Sequence, residues 1–366
     1  MSTNNRTGRK RDYVGVLSSV FAIVIGLLVG FVILLICNPS QALPGFVTIL
    51  TGAFTHGLKG VGQVFYYATP IILTGLSVGF AFKTGLFNIG TPGQFIVGAF
   101  AAVYVGIMWT GLGRIQWAVA LLAAILGGAL WGMVPGVLKA CFNVNEVIAS
   151  IMMNYIGMYM VNWIVKSYKP LFNNLRNESR NVAATAQIPK MGMDKLFPES
   201  SVGGGILLAV AAVLLIWVIL NKTTFGYELK AVGFNRDAGR YAGINEKRNI
   251  IMSMVIAGAI AGMAGGLLYL AGTGKHIEIK DVLAAEGFTG ISVALLGLSH
   301  PIGVLFSGLF IAYLTAGGFY LQLFEFSTEI IDIIVAVIIY FSAFALIVKT
   351  ILTRMNRKRE KGGGQI

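Results

Sequence analysis

The chain has 366 residues, of which 56% are hydrophobic and only 12% are charged, and its net charge is +13. Soluble domains carry about 25% charged residues, so this composition excludes an ordinary soluble globular protein. A basic chain is also compatible with nucleic-acid binding, so the positions of the charges have to decide between the two explanations.

Long apolar segments dominate the sequence and predict a polytopic, all-α membrane protein. A helix needs about 20 apolar residues to cross a bilayer, whereas the strands of a membrane barrel are shorter and alternate in polarity. The apolar runs are Val14–Cys37, Val61–Phe82, Phe95–Gly111, Ile115–Leu138, Val147–Val165, Gly203–Leu220, Ile250–Gly272, Pro301–Gly318 and Ile330–Ile351.

The first run, Val14–Cys37, predicts an anchor helix and not a cleaved signal peptide. It is longer than the core of a signal peptide, and no small-residue cleavage motif follows it. The two cysteines, Cys37 and Cys141, fall at opposite membrane faces in the topology predicted below. We therefore expect neither a disulfide nor a metal site built on cysteine.

The segment KTGLFNIGTPGQ, from Lys83 to Gln94, interrupts the apolar sequence with glycines and a proline. Such an interruption is typical of a discontinuous helix beside a substrate path. Amides and hydroxyls can bind a solute by hydrogen bonds, and a ring can stack on it. The alternative is that these polar groups only satisfy the interrupted backbone, and the sequence supports both interpretations equally. The candidate side chains are Phe87, Asn88, Thr91 and Gln94.

Two glycine ladders predict helices whose backbones approach closely in lipid. Each ladder repeats every fourth residue, and helix packing alone is enough to explain it. The ladders are Gly128, Gly132 and Gly136, and Gly258, Gly262 and Gly266.

Polar residues inside the run Val147–Val165 indicate a further part of the path. Asn154 and Tyr155 lie about two turns into the run, and intramembrane polar residues usually face the interior of the bundle. Hydrogen bonding between helices is the alternative. Asn143 and Glu146 have the spacing of a capping box, which predicts that Glu146 caps this helix and does not contact substrate.

The segment 167–202 is the longest connection on the predicted outer side, and it mixes both charge signs with Asn and Pro. A disordered hairpin and a docking surface are both compatible with this composition.

A charged island, FNRDAGRYAGINEKRN, lies within the predicted cytoplasmic segment 222–249. Asn235 is suited to cap a short helix, and Gly243 is suited to the left-handed residue that ends one. Three small residues leave part of this helix nearly bare, which favours docking into a groove of another protein. A helix on lipid headgroups is the alternative, but it would need more apolar boundary residues. The predicted docking segment is Asn235, Arg236, Asp237, Ala238, Gly239, Arg240, Tyr241, Ala242 and Gly243, with Ala238, Gly239 and Ala242 as the bare side.

The charge distribution predicts the topology. Basic residues before the first run place the amino terminus in the cytoplasm. Alternation of the runs from there puts nearly all the net positive charge on the same side of the membrane. The positive-inside rule therefore explains the basic net charge without nucleic-acid binding. An even number of crossings requires one more segment, and Gly287–Leu298 supplies it as a half-helix that turns at Ser299-His300-Pro301. We expect cytoplasmic tails at 1–13 and 353–366 around a membrane domain, 14–352, with about ten transmembrane segments, one or two of them broken or re-entrant.

Several of these segments resemble, in matching order, the branched-chain amino acid/simple-sugar permease family of ABC importers. Their sequences are most similar to those of the nucleoside-type permeases. The segments include Lys83–Gln94, Asn145–Tyr155 and Ala231–Asn235. Asp237–Gly243 is similar to the family's Glu-Ala-Ala-x-x-x-Gly coupling motif, although Asp replaces Glu, Gly replaces the second Ala, and the distal Leu-Pro is absent.

The resemblance implies the permease subunit of an ATP-driven importer for nucleosides in the bacterial cytoplasmic membrane. ATP would be hydrolysed on separate ATP-binding cassette subunits, so we expect no cofactor, metal or catalytic residue in this chain. The implied partners are those subunits, a second permease subunit of the same or a related kind, an extracellular solute-binding protein or lipoprotein, and membrane lipid. A ribose-like sugar permease is the main alternative.

Three other classes of protein fit the sequence less well. An ion-coupled carrier needs buried charged relays, and the apolar runs are almost free of charge. An intramembrane enzyme would need a catalytic motif, and the metalloprotease motif His-Glu-x-x-His does not occur. A passive channel would not need a docking helix.

Overall fold

A computed structural model describes residues 4–341, apart from residues 56, 328, 331, 335, 338 and 339. Within these residues the chain is largely helical. The helices are α1 (Asn4–Cys37), α2 (Ala42–Thr55), α3 (Gly57–Phe82), α4 (Thr91–Met108), α5 (Gln116–Phe142), α6 (Glu146–Ser167), α7 (Met193–Leu196), α8 (Gly205–Lys222), α9 (Thr224–Phe234), α10 (Arg236–Tyr241), α11 (Glu246–Tyr269), α12 (Ala285–Leu296) and α13 (Pro301–Phe319). Two short strands, β1 (Phe172–Asn173) and β2 (Glu178–Ser179), form an antiparallel pair.

Seven helices of the described part of the chain are long and apolar enough to cross a membrane, namely α3, α4, α5, α6, α8, α11 and α13. The predicted polytopic, all-α architecture is therefore confirmed. The count of ten segments stays a prediction, because most of the run Ile330–Ile351 and the whole tail 353–366 lie outside the described residues. Helix α1 begins at Asn4, ahead of the apolar run that starts at Val14.

Helix α2 lies between the first two predicted spans and was not predicted from the sequence. Its 14 residues extend over about 21 Å, which is shorter than the helix of about 20 residues that crosses a bilayer. It nevertheless packs closely on α13, since a Cβ atom added at Gly317 would overlap the backbone oxygen of Ile49. Pro44 is tolerated because it lies in the first turn, where its missing N–H has no intrahelical partner.

The short helix predicted at Gly287–Leu298 is confirmed as α12, whose 12 residues extend over about 18 Å. The chain reverses through Leu298 and Ser299, which have left-handed φ values of 54° and 52°. The reversal therefore begins one residue before the predicted turn. A Cβ atom at Gly297 would lie 2.6 Å from the backbone nitrogen of Val304, so α12 and α13 meet through glycine.

The close backbone approach predicted for the two glycine ladders is confirmed, and the structure shows that they pack against each other across α5 and α11. A Cβ atom at Gly128 would overlap the backbone oxygen of Gly258, and one at Gly262 would overlap that of Ala124. Helix α4 joins this contact, because Gly98 lies equally close to Gly262. Side chains at these positions would force the helices apart.

The segment 167–202 is folded, so the disordered alternative for it is wrong. It contains both strands and α7, and its backbone is tied to the connection between α11 and α12. Ser179 donates to the oxygen of Ile277 (2.9 Å), and Ile188 donates to that of Leu270 (2.9 Å).

These contacts define the two ends of the helix bundle. We call the end where the connections 168–204 and 270–284 meet the loop end. The opposite end, which holds α9 and α10, is the coupling end.

The predicted capping box at Asn143 and Glu146 is wrong. Asn145 caps α6, and its side-chain oxygen accepts from the N–H of Val147 (2.9 Å). Asn143 instead ends α5, with a left-handed φ of 52°, and Glu146 pairs with Lys139 at 2.8 Å. The sequence offers two asparagines two residues apart, and the left-handed position after α5 takes the first of them.

Candidate substrate path and coupling helix

The interruption between α3 and α4 is present as a break across residues 83–90. After α3 ends, Leu86 donates to the backbone oxygen of Ala81 (3.2 Å), and Gly85 adopts a left-handed φ of 71°. Helix α4 begins only at Thr91, with Pro92 in its first turn. The predicted discontinuity is therefore confirmed.

The side chains of Asn88 and Gln94 pair head to head beside this break. Nδ2 of Asn88 donates to Oε1 of Gln94 (2.9 Å), and Nε2 of Gln94 donates to Oδ1 of Asn88 (3.0 Å). Nδ2 of Asn88 also lies 3.4 Å from Oγ of Ser77, which donates to the backbone oxygen of Ala257. Both amides are fully buried, so their hydrogen-bonding groups are engaged inside the protein.

Hydrogen bonds from the side chain of Asn154 connect the break to α6. Its Oδ1 accepts from the N–H of Gly93 (2.9 Å), and its Nδ2 donates to the backbone oxygen of Ile89 (2.9 Å). Asn154 is 1% exposed, whereas Tyr155 is 45% exposed. Tyr155 therefore lies on the outer surface of α6, and the expectation that both residues face the interior is wrong for Tyr155.

Thr91 and Phe87 complete the set of predicted residues. Oγ1 of Thr91 donates to the backbone oxygen of Asn88 (3.0 Å). The half-buried ring of Phe87 stacks on Phe82, with the ring centroids 5.4 Å apart. The structure thus brings five of the six candidates together, and we call Phe87, Asn88, Thr91, Gln94 and Asn154 the break cluster.

One buried hydroxyl beside the break cluster is unpaired. Oγ of Ser150 has no hydrogen-bond partner among the described residues, and a Cβ atom at Gly90 would lie 3.2 Å from the Cβ of Ser150. Leaving such a group unpaired costs about 1–3 kcal/mol. A rearrangement of the break that gives Ser150 a partner would recover part of this energy.

A cavity of about 240 Å³ opens at the loop end, next to the break cluster. Ile96 and Met158 form its apolar floor, and each lies one helical turn beyond the contact between α4 and Asn154. The ring of Tyr269 lines one side. The cavity therefore lies about one helical turn from the contact between α4 and Asn154.

The charged residues that line this cavity are paired with each other. Lys275 contacts Glu286 at 3.0 Å, and Lys280 contacts Glu278 at 2.9 Å. The hydrogen bond from Lys280 lowers the pKa of the Glu278 carboxyl. Nδ2 of Asn162 donates to the backbone oxygen of Lys280 (3.0 Å), which holds this side of the cavity to α6.

At the coupling end, the predicted short helix is confirmed as α10. Oδ1 of Asn235 accepts from the N–H of Ala238 (3.0 Å), and Gly243 has a φ of 80°. Ala238 and Ala242 are exposed, but Gly239 is buried. Of the three residues of the bare side, Ala238 and Ala242 therefore face outward, whereas Gly239 faces the protein's own helix α9.

Two aromatic rings project from this region into solvent. Tyr241 is 94% exposed and Phe234 is 93% exposed. The outward position of Phe234, the last residue of α9, is not visible in the local sequence pattern. Aromatic side chains of this kind are the usual anchors of protein interfaces.

The coupling helix is connected to the break through α9. The end of α9 contacts the break directly, because a Cβ atom at Gly233 would overlap the backbone oxygen of Lys83, and one at Gly85 would lie 3.2 Å from the oxygen of Gly233. Gly239 of α10 packs on the buried Val232, with the nearest atom 3.6 Å from an added Cβ. Burial and the neighbouring charge of Lys230 lower the pKa of Lys83 at this contact.

The lining of the cavity was not predicted from the sequence. Tyr269, Lys275 and Glu286 are separated along the chain and meet only because the connection 270–284 folds back over α4 and α6. The one available signal was an acidic residue next to the predicted half-helix. No group of metal-binding side chains occurs within the part of the chain that the structure describes.

Comparison with known proteins supports the resemblance seen in the sequence. Residues 60–343 match the family described as branched-chain amino acid transport system/permease component. The guanosine ABC transporter permease protein NupP of Bacillus subtilis (strain 168) is 38% identical over 340 residues, which cover 93% of this chain and 96% of that protein.

Two further relatives are similar over most of their length. The nucleoside ABC transporter permease protein NupB of Lactococcus lactis subsp. cremoris (strain MG1363) is 34% identical over 359 residues, 96% of this chain and 95% of that protein. The glucose ABC transporter permease protein TsgB13 of Haloferax volcanii is 32% identical over 304 residues, 81% and 78% of the two chains. No solved structure matches this chain. The chain belongs to the branched-chain amino acid transport system/permease component family and is a multi-pass protein of the cell membrane.

Proposed function

We propose that the protein is the membrane-spanning permease subunit of an ATP-driven ABC importer that carries nucleosides into the cell. The observation that carries this proposal is a capped, exposed docking helix in a chain whose relatives are named as guanosine and nucleoside ABC transporter permeases. A sugar is the second candidate substrate, because the relative from Haloferax volcanii is named as a glucose permease.

The partners follow from this function. Separate ATP-binding cassette subunits bind and hydrolyse ATP and contact the segment Asn235–Gly243, so this chain itself holds no cofactor. A second permease subunit, identical or related, completes the pore. A solute-binding protein or lipoprotein delivers substrate to the loop end from outside. The coupling end and both termini then face the cytoplasm, in agreement with the positive-inside rule.

The present structure represents a closed path in this proposal. The break cluster closes the path while Asn88 and Gln94 bind each other, and it contacts the solute once the pair separates. Tyr155 lies on the outer surface of α6, so it reaches the path only where the second permease subunit completes the pore.

Movement of the coupling helix reaches the break cluster through backbone contacts. When ATP-driven closure of the partner subunits shifts α10, the packing on Val232 carries the shift to the end of α9. Gly233 then displaces Lys83 and Gly85, because close-packed backbone atoms transmit displacement with little compression. The break follows, and the pair of amides separates.

Solute uptake by reconstituted vesicles tests the substrate. The complete transporter is placed in liposomes with ATP inside and its binding protein outside, and uptake of labelled inosine, ribose and leucine is compared. We expect inosine to accumulate and the other two to remain at background. Uptake of ribose alone would establish the sugar alternative, and uptake of leucine alone would contradict both.

A further inference from the structure

We propose that the cavity at the loop end is a site that holds one nucleoside before translocation, with its base on the ring of Tyr269 and its ribose hydroxyls on Glu286. The inference depends on the proposed function, and it names the residues that recognise the solute on the way to the break cluster.

The size and lining of the cavity fit a small amphipathic solute. Its volume of about 240 Å³ lies below the range of about 300–1,000 Å³ that is usual for drug-sized ligands, so it holds one small molecule. Ile96 and Met158 provide an apolar floor, and Tyr269 provides an aromatic surface. A planar base stacks well on such a ring.

The charges of the cavity favour an uncharged solute. Besides His276, the lining carries two lysines and two glutamates, which are paired as Lys275–Glu286 and Lys280–Glu278. An anionic nucleotide or a cation meets no net opposite charge here. A zwitterionic amino acid would have to replace existing ion pairs to bind. A nucleoside binds without replacing them, because the carboxylate of Glu286 still has lone pairs that accept from hydroxyl groups.

The position of Glu286 connects this site to the break. Glu286 lies in the first turn of α12, and its neighbour Gly287 packs directly on Pro92, since an added Cβ atom would lie 2.6 Å from the Cα of Pro92. Pro92 lies in the first turn of α4, beside the break cluster. A solute bound to Glu286 therefore contacts α12, which packs on the element that must move when the break opens.

Protection of an introduced cysteine measures occupancy without requiring transport. Leu283 lines the cavity, and the native Cys37 and Cys141 are both exposed, so the test uses L283C in a C37S/C141S background. The complete transporter in detergent, without its binding protein, is labelled with a maleimide in the presence of inosine or leucine. We expect inosine, but not leucine, to slow the labelling.

Two pairs of variants assign the recognition to particular side chains. In this background, Tyr269→Leu removes the ring while Tyr269→Phe keeps it, and Glu286→Gln alters the cavity while Glu199→Gln alters an exposed ion pair with Lys59 at the same end. We expect Y269L and E286Q to raise the inosine concentration for half-protection roughly tenfold, the loss of about 1.4 kcal/mol. Y269F should be protected at lower inosine concentrations than Y269L, because it keeps the ring, and E199Q, which lies outside the cavity, should match the parent.

The outcomes separate this inference from the proposed function. If inosine is imported by vesicles but gives no protection, or if E286Q and Y269L are protected as well as the parent, the site is wrong and the importer stands. Protection by leucine in place of inosine would also overturn the site. If Y269L does not fold, E286Q and its control still decide. An absence of inosine uptake in vesicles would instead contradict the function itself.

Discussion

At the scale of single residues, neighbours in the sequence have opposite roles. Asn154 and Tyr155 are adjacent and both polar, yet one is buried in the break and the other faces outward. Successive residues of a helix point about 100° apart, so only one of the two was able to face inward. The run Val147–Val165 is too uniformly apolar for its sequence to show which of the two residues faces inward. The hydrogen bond from Gly93 to Asn154 identifies Asn154 as the inward-facing residue.

Replacement of Asn154 tests the structural importance of the break cluster. Asn154→Leu leaves the N–H of Gly93 and the oxygen of Ile89 unpaired, so we expect a loss of about 1–3 kcal/mol in unfolding free energy. Tyr155→Leu is the matched neighbour and should change this energy by less than about 0.5 kcal/mol. Thermal unfolding of the purified protein in detergent measures both. Equal effects of the two variants would contradict the assignment.

At the scale of elements, local chemistry predicted the helices better than their orientation. The cap at Asn235 and the left-handed Gly243 were predictable, because both depend on residues within a few positions. The burial of Gly239 was not, since it depends on packing against α9. Helix α12 was inferred from the parity of crossings, whereas α2 had no such argument to reveal it.

The contact between α9 and the break makes a prediction about coupling. Gly233→Ala places a methyl group on the backbone oxygen of Lys83, whereas Gly239→Ala meets its nearest atom only at 3.6 Å. We expect G233A to hydrolyse ATP in the assembled transporter but to import at least about fivefold less inosine per ATP, which corresponds to a coupling energy of about 1 kcal/mol. G239A should behave as the parent protein.

Measurement of uptake and hydrolysis in the same vesicles provides this ratio. A structural defect alone would lower both rates together, because fewer transporters would be folded. If G233A retains the parent ratio, or if G239A loses it equally, movement does not pass through the contact between Gly233 and the break.

At the scale of the whole molecule, composition and pattern predicted the class of protein and the positions of close helix packing, but not which helices meet there. The glycine ladders of α5 and α11 were visible in the sequence, because close approach in lipid requires small residues at fixed spacing. The cavity was not visible, because its lining comes from α4, α6, α11, the first turn of α12 and the connection before it. The fold of the segment 167–202 was equally hidden, since its hydrogen bonds go to the distant connection 270–284.

The central claim is that this chain moves solute only when a separate ATPase acts on its docking helix. Its most direct test is inosine uptake by liposomes that contain the complete transporter, with and without internal ATP, for the parent protein and for Ala238→Arg. Ala238 is exposed on α10, so the arginine should leave membrane insertion intact and block docking. We predict uptake by the parent only with ATP, and none by A238R; uptake without ATP, or full uptake by A238R, would contradict the account.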